Sequence, residues 1–368
     1  MAVEKPQYIA IDVRMAEHTG IGRYIRGTVT ALKNASSERV YTLMGKNGLK
    51  NEFPPEFSYI AANIPIYSIQ EQVALPWLAR SADCLHSPHY NAPLFWNRKL
   101  IVTIHDLIHL HFADALASPL AKIYARFMLP AVVRRADAII AVSEYTKNDL
   151  VKTLKVNPDK ITVIHHGIDH SFEISDADGE KYPPKEPYFL YVGLIKAHKN
   201  IGILLEAFLK LRKEKNLPSL KLYLVGTPDL KQAIVREWLE MIHREPSISL
   251  MSGVDERKLK ELYRNATALI LPSLYEGFGF PLLEAMASQT PIIASRIASI
   301  PEVLGERAGL YFDPHSASEL HACLEKILNR SDLRAQLIEE GLKRLRLFDW
   351  KVAAQKTERV YESVLGSN

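Results

Sequence analysis

The segment Ala268-Leu-Ile-Leu-Pro-Ser-Leu-Tyr-Glu-Gly-Phe-Gly-Phe-Pro-Leu-Leu-Glu-Ala-Met-Ala287 passes from an apolar run through a glycine-rich turn into a helical pattern. The run at 268–271 has the composition of a buried strand. Gly277 and Gly279 allow the backbone to approach a ligand without an intervening side chain. Pro281 suits the first turn of a helix, where its missing N–H costs nothing. The segment therefore predicts a strand–turn–helix unit of an α/β fold.

Two carboxylates, Glu276 and Glu284, flank this turn at a spacing of eight residues. The free N–H groups of a helix's first turn favour an anion in front of them. We expect Glu276 on the loop at the mouth of a site, and Glu284 about one turn into the helix, facing the same site. Main-chain amides that can bind a phosphate, together with two carboxylates that can accept hydrogen bonds from hydroxyls, indicate a sugar nucleotide as the ligand. The alternative is an ordinary strand–turn–helix unit whose glutamates only offset the helix dipole.

The composition is that of a globular protein large enough for two hydrophobic cores. The chain has 368 residues, of which 47% are hydrophobic and 24% are charged. The mild net charge of +4 and the lack of an arginine-rich run argue against nucleic acid as a partner. No apolar run reaches the roughly 18–20 residues of a membrane helix, and the N-terminus lacks the character of a signal peptide. Cys84 and Cys323 are expected to be reduced thiols of a cytoplasmic protein.

Two successive series of apolar strands and helices divide the chain. Strands are predicted at 8–12, 41–44, 82–86, 99–105, 138–142 and 161–164, and then at 188–192, 220–225, 248–251, 268–271 and 292–294. A polar linker at 171–187 separates the two series. The repeated alternation predicts two Rossmann-like, doubly wound domains, at 1–170 and 187–345, with a cleft between them.

Two local features of the first series are also predicted. A glycine-containing loop at 18–24 follows the first strand and precedes a helix. Ser143 is expected to cap the helix that follows 138–142, because its side chain can accept from a free N–H of the first turn.

The signature around Glu276 and Glu284 strongly resembles that of the retaining glycosyltransferases of family four, which have the two-domain GT-B fold. The resemblance is strongest over 187–314 and continues more weakly from Gly20 to Asp169. It implies that Glu276 contacts the donor sugar and that Glu284 holds the nucleotide ribose. It also implies that the last residues, 346–368, form a helix that returns to the first domain.

By the same resemblance, the turn and helix start between the two glutamates complete the donor site. The residues concerned are Gly277, Phe278, Gly279, Phe280, Pro281 and Leu282. His165-His-Gly-Ile-Asp169 resembles the segment with which the family leaves its first domain, and Gly167 is expected there for backbone reasons.

Lys199 is expected to neutralise the diphosphate of the leaving group. Val-Gly193-x5-Lys199-Asn matches the phosphate loop of the family. Where the family often has arginine just after the glycine, this chain has Leu194, and Lys196 is the candidate substitute, with His198 as another basic neighbour. A solvated surface lysine is the alternative interpretation of Lys199.

The first series contains a second glycine motif, which resembles the N-terminal glycine loop of the family. Gly20 and Gly22 are expected to carry donor diphosphate and acceptor contacts, since their amides open a helix. Alone, a Gly-x-Gly loop is a weak signal. Arg23 is either a further phosphate contact or a surface residue of that helix.

His105 is the candidate residue on the acceptor side. It ends a predicted strand, and the resemblance of Ile-His105-Asp to a turn of the family places it beside the reacting sugar. We group it with Glu276 and Lys199 as catalytic. The alternative is a histidine at the end of a strand whose hydrogen bonds are made within the protein and which has no catalytic role. Together with His109 and His111 it could suggest a metal, but the spacing completes no zinc set. Neither a metal nor a cofactor is therefore expected.

The stretch 120–135 combines apolar residues with four basic ones. One interpretation is an amphipathic segment that makes peripheral contact with the inner face of an anionic membrane. The other is a core helix, interrupted by Pro130, with a solvated basic face.

The resemblance implies a metal-independent retaining hexosyltransferase of bacterial polysaccharide or lipopolysaccharide synthesis. Phe278-Gly-Phe-Pro281 and Ser87-Pro-His-Tyr-Asn91 are most similar to the mannosyl- and deoxyhexosyltransferases of this group, which favours a GDP-hexose such as GDP-mannose. The acceptor would be a saccharide or a lipid-linked saccharide. The alternatives are a UDP-hexose donor, a sugar-nucleotide epimerase, and a non-catalytic carbohydrate-binding protein.

Overall fold

A computed structural model of the chain describes residues 6–35, 39–112, 119–174 and 186–366. These residues form two compact units. The first comprises 6–35, 39–111, 119–167 and 349–366, and the second comprises Phe112, 168–174 and 186–348. Most of the predicted linker, 175–185, lies outside the described residues.

The first unit is built on a seven-stranded parallel sheet. Its strands are β1 (Gln7–Asp12), β2 (Arg39–Gly45), β3 (Ser58–Ala61), β4 (Cys84–Ser87), β5 (Lys99–Ile104), β6 (Ala138–Ala141) and β7 (Ile161–Val163). Their spatial order is β3-β2-β1-β4-β5-β6-β7. The six predicted strands are confirmed. The additional strand, β3, is a short edge strand with no buried residue, so it lacks the continuous apolar run by which buried strands are identified.

Five helices connect these strands. They are α1 (Thr19–Leu32), α2 (Ile69–Leu78), α3 (Ile108–His111), α4 (Pro119–Arg135) and α5 (Glu144–Leu154). The predicted cap of α5 is confirmed, since the Ser143 side chain accepts from the N–H of Thr146.

Two local predictions in these helices are wrong. The glycine motif is not a loop, because α1 begins at Thr19 and the N–H of Gly22 donates to the His18 carbonyl at 2.8 Å, as in a helix. Helix α4 is not interrupted by Pro130, which lies inside it. A proline removes one helical hydrogen bond but does not always end a helix that is packed on a sheet.

The second unit repeats the architecture with six parallel strands. They are β8 (Tyr188–Val192), β9 (Lys221–Val225), β10 (Ile248–Met251), β11 (Ala268–Leu271), β12 (Ile292–Ser295) and β13 (Leu310–Phe312), in the order β10-β9-β8-β11-β12-β13. The helices are α6 (Ile201–Glu214), α7 (Ala233–Arg244), α8 (Glu256–Asn265), α9 (Phe280–Ala287), α10 (Ile300–Leu304), α11 (Ala317–Asn329) and α12 (Ser331–Leu345). The five strands predicted here are confirmed, and β13 is an additional edge strand.

Both sheets have a point at which the strand order reverses. In the first unit the chain runs outward in both directions from the pair β1 and β4, and in the second from the pair β8 and β11. Ligands of open α/β sheets bind outside the carboxyl ends of the strands at such points. The loops that follow β8 and β11 contain Lys199 and Glu276.

The last helix, α13 (Trp350–Leu365), belongs to the first unit, as the fold prediction requires. It packs against α1. Gly167 lies so close to the start of α13 that a Cβ built on it would be 2.2 Å from the backbone nitrogen of Trp350. The close approach of the backbone leaves no room for a side chain at position 167, so the expectation that Gly167 is needed for backbone reasons is confirmed.

We predict that Gly167→Ala destabilises the first unit by about 1–3 kcal/mol, because the added methyl collides with backbone that cannot rotate away. Calorimetric unfolding of the purified chain measures the change. Gly48→Ala is the matched control, since a Cβ at Gly48 meets nothing within 4 Å. Equal stability of the two variants would contradict the packing account.

Candidate active site

The loops after β8 and β11 bring Lys199 and Glu276 into direct contact. Lys199 ends a single 3-10 turn, Ala197–Lys199. Its Nζ donates to Glu276 Oε1 at 2.7 Å and to Oε2 at 2.8 Å. Both side chains are largely shielded from water, so this pair is electrostatically stronger than an exposed one. The two residues predicted to hold the phosphate and the sugar thus form one charged pair.

The carboxylate of Glu276 is fixed by further bonds within the second unit. The hydroxyl of Ser273 donates to Glu276 Oε1 at 2.6 Å. The hydroxyl of Ser299 donates to the main-chain carbonyl of Glu276 at 2.9 Å. These contacts within the protein set the position and orientation of the carboxylate, which is the preorganisation that a binding site needs.

Asn200 connects the loop that follows β8 and contains Lys199, here called the lysine loop, to two neighbouring segments of the second unit. It adopts a left-handed conformation with φ 57°, which Asn tolerates better than most residues. Its Nδ2 donates to the carbonyls of Pro272 at 3.1 Å and Pro314 at 2.8 Å. Because Pro272 precedes the Glu276 loop, Asn200 ties the lysine loop to the glutamate loop.

The turn between the two glutamates has the predicted form. Gly279 adopts φ +97°, and α9 begins at Phe280 with Pro281 in its first turn. Phe278 is buried and lies edge-on to Phe280, at 5.9 Å between ring centroids. The side chain of Leu282 is also buried, so a contact with a ligand there would have to come from the main chain.

Glu284 lies in the middle of α9 and is almost fully buried. The hydroxyl of Tyr263, on α8, donates to Glu284 Oε2 at 2.6 Å. A charge-assisted bond of this length holds the carboxylate at a defined position. The carbonyl of Tyr263 in turn accepts from Thr290 Oγ1 at 2.6 Å. Tyr263 is therefore a positioning residue for Glu284.

Other predicted residues of the lysine loop are placed as follows. Gly193 follows β8 directly, and its N–H donates to the Val225 carbonyl at 2.9 Å. Lys196 is partly exposed at the start of the 3-10 turn. His198 is buried, with its ring 6.1 Å from that of Phe112. Of the two candidate substitutes for the missing arginine, Lys196 has the greater access to solvent.

His105 lies at the carboxyl end of β5 in the first unit. Its Nε2 donates to the Pro88 carbonyl at 2.9 Å. Its ring is 5.0 Å from Tyr24 and 5.7 Å from His166. Burial lowers the pKa of His105, against the hydrogen bond to Pro88, and lowers that of His166 well below the ordinary value. A neutral imidazole that donates through Nε2 has an acceptor at Nδ1.

The glycine motif of the first unit divides into an open and a packed position. A Cβ on Gly20 would meet nothing within 4 Å, whereas a Cβ on Gly22 would lie 2.0 Å from the Ala16 carbonyl oxygen. Packing alone therefore accounts for Gly22. Gly20 is exposed and keeps an accessible main chain, and Arg23 follows on the same helix, partly buried.

Sequence reasoning missed a buried ionic cluster at the reversal point of the first sheet. Arg14 donates to Asp12 Oδ2 at 2.7 Å and to Glu71 Oε2 at 3.1 Å. Tyr124 donates to Glu71 Oε1 at 2.7 Å. Burial raises the pKa of Glu71, against the hydrogen bonds from Tyr124 and Arg14. The available signal was the pair Asp12-x-Arg14 directly after the first strand.

The residues considered as metal ligands do not gather into a site. His111 pairs with Asp149 at 2.7 Å, and the ring of His109 lies 5.8 Å from that of Tyr90. Among the residues that the structure describes, no three His, Cys, Asp or Glu side chains lie together as a metal-binding group.

Known families account for nearly the whole chain. A family model described as "Glycosyltransferase Family 4" matches residues 18–172, and one described as "Glycosyl transferases group 1" matches residues 174–344.

Two curated relatives and one solved structure illustrate the similarity. The O-antigen chain mannosyltransferase RfbU of Salmonella typhimurium is 32% identical over 65% of this chain and 63% of its own length. The O-antigen chain mannosyltransferase B of Escherichia coli is 27% identical over 75% of this chain and 73% of its own. The chain thus spans slightly under two thirds of RfbU.

Among solved structures, a sucrose-phosphate synthase from Thermosynechococcus elongatus aligns with 98% of this chain and 100% of its own, at a TM-score of 0.80 and 22% identity. This likeness shows that the two proteins share a fold. The two family models together match residues 18–344, apart from one residue between them. The chain therefore belongs to the family-four glycosyltransferases with the two-domain GT-B fold.

Proposed function

We propose that this chain transfers a hexose from a nucleotide sugar to a saccharide or lipid-linked saccharide acceptor, with retention at the anomeric carbon. The observation that carries the proposal is the shielded pair of Lys199 and Glu276 at the ends of β8 and β11. This is the position at which such a sheet binds its ligand, and it offers a cation for phosphate beside a carboxylate for hydroxyls.

The donor would divide its contacts among three groups of the second unit. Lys199 and the main-chain amides at the start of α9 would meet the diphosphate and stabilise the charge that develops on it. Glu276, together with the turn 277–282, would bind the sugar. Glu284 would accept from the ribose hydroxyls. Lys199 pairs with Glu276, so a bound diphosphate would compete for the same ammonium group.

Transfer would break the bond between the anomeric carbon and the leaving phosphate and form one to the acceptor oxygen on the same face. The acceptor proton would pass to the leaving phosphate. No step in this scheme calls for a metal, since Lys199 and the amides supply the positive charge. On the first unit, His105 is proposed as an acceptor-side residue, because its neutral ring can accept a hydrogen bond from a hydroxyl. Gly20 and Arg23 are proposed as further contacts of that unit, whereas the N–H of Gly22 is used within α1 and Gly22 is not proposed.

The proposed donor is GDP-mannose, and the transferred sugar is mannose. Both curated relatives described above are named as O-antigen mannosyltransferases, which supports a mannosyl donor and a role in polysaccharide synthesis. A UDP-hexose is the alternative donor. An epimerase or a non-catalytic binding protein on the same fold would use the same donor residues and would differ in having no acceptor.

A panel of nucleotides should identify the donor class. GDP and GDP-mannose should raise the melting temperature more than UDP, ADP or UDP-glucose, without added metal. A ligand at about 100 times its Kd adds roughly 2.7 kcal/mol of stability. Differential scanning fluorimetry measures the shift. If only UDP compounds stabilise the chain, the donor is a UDP-hexose. If no compound shifts the melting temperature, with or without Mg²⁺, the proposed donor site is contradicted.

Replacing Glu276 with Gln should reduce transfer of labelled mannose by about 100-fold or more, since the charged acceptor for the sugar hydroxyls is lost. The variant should remain folded but melt at a lower temperature, because Lys199 loses its charged partner, so activities are compared well below both melting temperatures. Glu306→Gln is the control, since Glu306 also pairs with a cation, Arg296, but is exposed. Equal activity of the two variants would show that Glu276 does not contribute to transfer.

Replacing Tyr263 with Phe should raise KM for the donor about tenfold and leave kcat within about a factor of two, because Glu284 loses the bond that positions it. Steady-state kinetics with varied donor provide the test. Tyr188→Phe is the matched control, since the Tyr188 hydroxyl donates to a carbonyl, that of Leu262, elsewhere in the same unit. An unchanged KM in Tyr263→Phe would show that Glu284 does not bind the ribose.

A further inference from the structure

Helix α2 exposes a row of large apolar side chains. Ile69, Val73 and Trp77 are spaced four residues apart and therefore lie on one face of the helix. Each is at least 63% exposed, and Ile69 reaches 88%. The opposite face is anchored in the first unit by Leu75 and Glu71, which are fully buried. The exposed row therefore belongs to an ordered helix held in place by its other face.

Three further large apolar side chains of the first unit are also exposed. Ile123 and Phe127 stand one turn apart on α4, and Phe95 lies in the connection between β4 and β5. All three are at least 65% exposed.

Hydrogen bonds show that these elements are neighbours. The Tyr124 hydroxyl on α4 donates to Glu71 on α2. The N–H of Leu94 donates to Gln72 on α2 at 2.8 Å. The exposed row of α2, Ile69, Val73 and Trp77, is here called the apolar patch, and Phe95, Ile123 and Phe127 are further exposed apolar side chains on the neighbouring elements. A row of large exposed apolar side chains on one face of an ordered helix marks an interaction site.

The segments around the apolar patch are predominantly basic. The segments 65–80, 92–99 and 119–135 contain seven lysine and arginine residues but a single acidic residue, Glu71. Two of the seven, Lys99 and Arg135, pair with Asp137. Glu71 is buried and paired with Arg14, so it contributes no negative charge to the surface. Arg126 and Arg134 on α4 are exposed, and the Arg80 guanidinium lies 4.5 Å from the centroid of the Trp77 ring.

We propose that the apolar patch docks the first unit onto the surface of an anionic lipid bilayer. Aromatic and aliphatic side chains would enter the interface between headgroups and acyl chains, and the arginines around them would meet anionic headgroups. A second copy of the chain fits less well, because a two-fold contact through this patch would bring two basic surfaces together. No helix among the described residues combines the length and apolar character needed to span a bilayer.

Docking has a direct test that needs no substrate. The full chain is mixed with phosphatidylcholine vesicles, with or without 30% phosphatidylglycerol, and the bound fraction is measured by flotation. Binding should be at least about tenfold tighter with phosphatidylglycerol and should weaken at high salt. The patch variant Ile69→Gln/Val73→Gln/Trp77→Gln should lose at least about tenfold in partitioning. Arg126→Glu/Arg134→Glu should show a similar loss, on anionic vesicles only.

The control variant is Leu230→Gln/Ile234→Gln/Met241→Gln, which changes three exposed apolar residues of the second unit and should bind vesicles like the wild type. Equal binding of the patch variant and the wild type would overturn the proposal. So would a wild type that ignores vesicles but forms dimers that the patch variant lacks. The melting-temperature shift with GDP should be the same in all variants, so failure of docking and failure of the proposed donor site are distinguishable.

Discussion

The candidate donor site of the second unit depends on one interaction, the ion pair between Lys199 and Glu276. The two residues are far apart in sequence and meet only because β8 and β11 are neighbours at the point where the strand order reverses. Two rigid loops are needed to keep them in contact, and Asn200 supplies the connection through its bonds to Pro272 and Pro314. The sheet topology thus determines which side chains can act together.

Burial gives the site its chemical character. A lysine and a glutamate shielded from water interact strongly with each other and would interact as strongly with a ligand that replaces one of them. Glu276 and Glu284 differ in their support: the first is held by a cation and a serine, the second by a tyrosine hydroxyl. The two carboxylates are therefore held in place by different kinds of partner.

Much of this could be predicted from the sequence. Strands with continuous apolar runs were found, and the edge strands β3 and β13 were missed because runs of three or four residues are too short to distinguish from loop sequence. Lys199 and Glu276 were identified because each lies in a motif that resembles the family's and follows a predicted strand. The bond between Tyr263 and Glu284 was not, because Tyr263 follows Leu259 and Leu262 on the buried face of α8, where an aromatic residue indicates only packing. The cluster around Arg14 was missed for a related reason, since its partner Glu71 is 57 residues away.

The most direct test of the central claim is a crystal structure of the chain bound to GDP-mannose. The account predicts that the diphosphate lies within hydrogen-bond distance of Lys199 Nζ and the start of α9, with sugar hydroxyls on Glu276 and ribose hydroxyls on Glu284. A donor bound elsewhere, or one that leaves the Lys199–Glu276 pair out of contact with both phosphate and sugar, would contradict it.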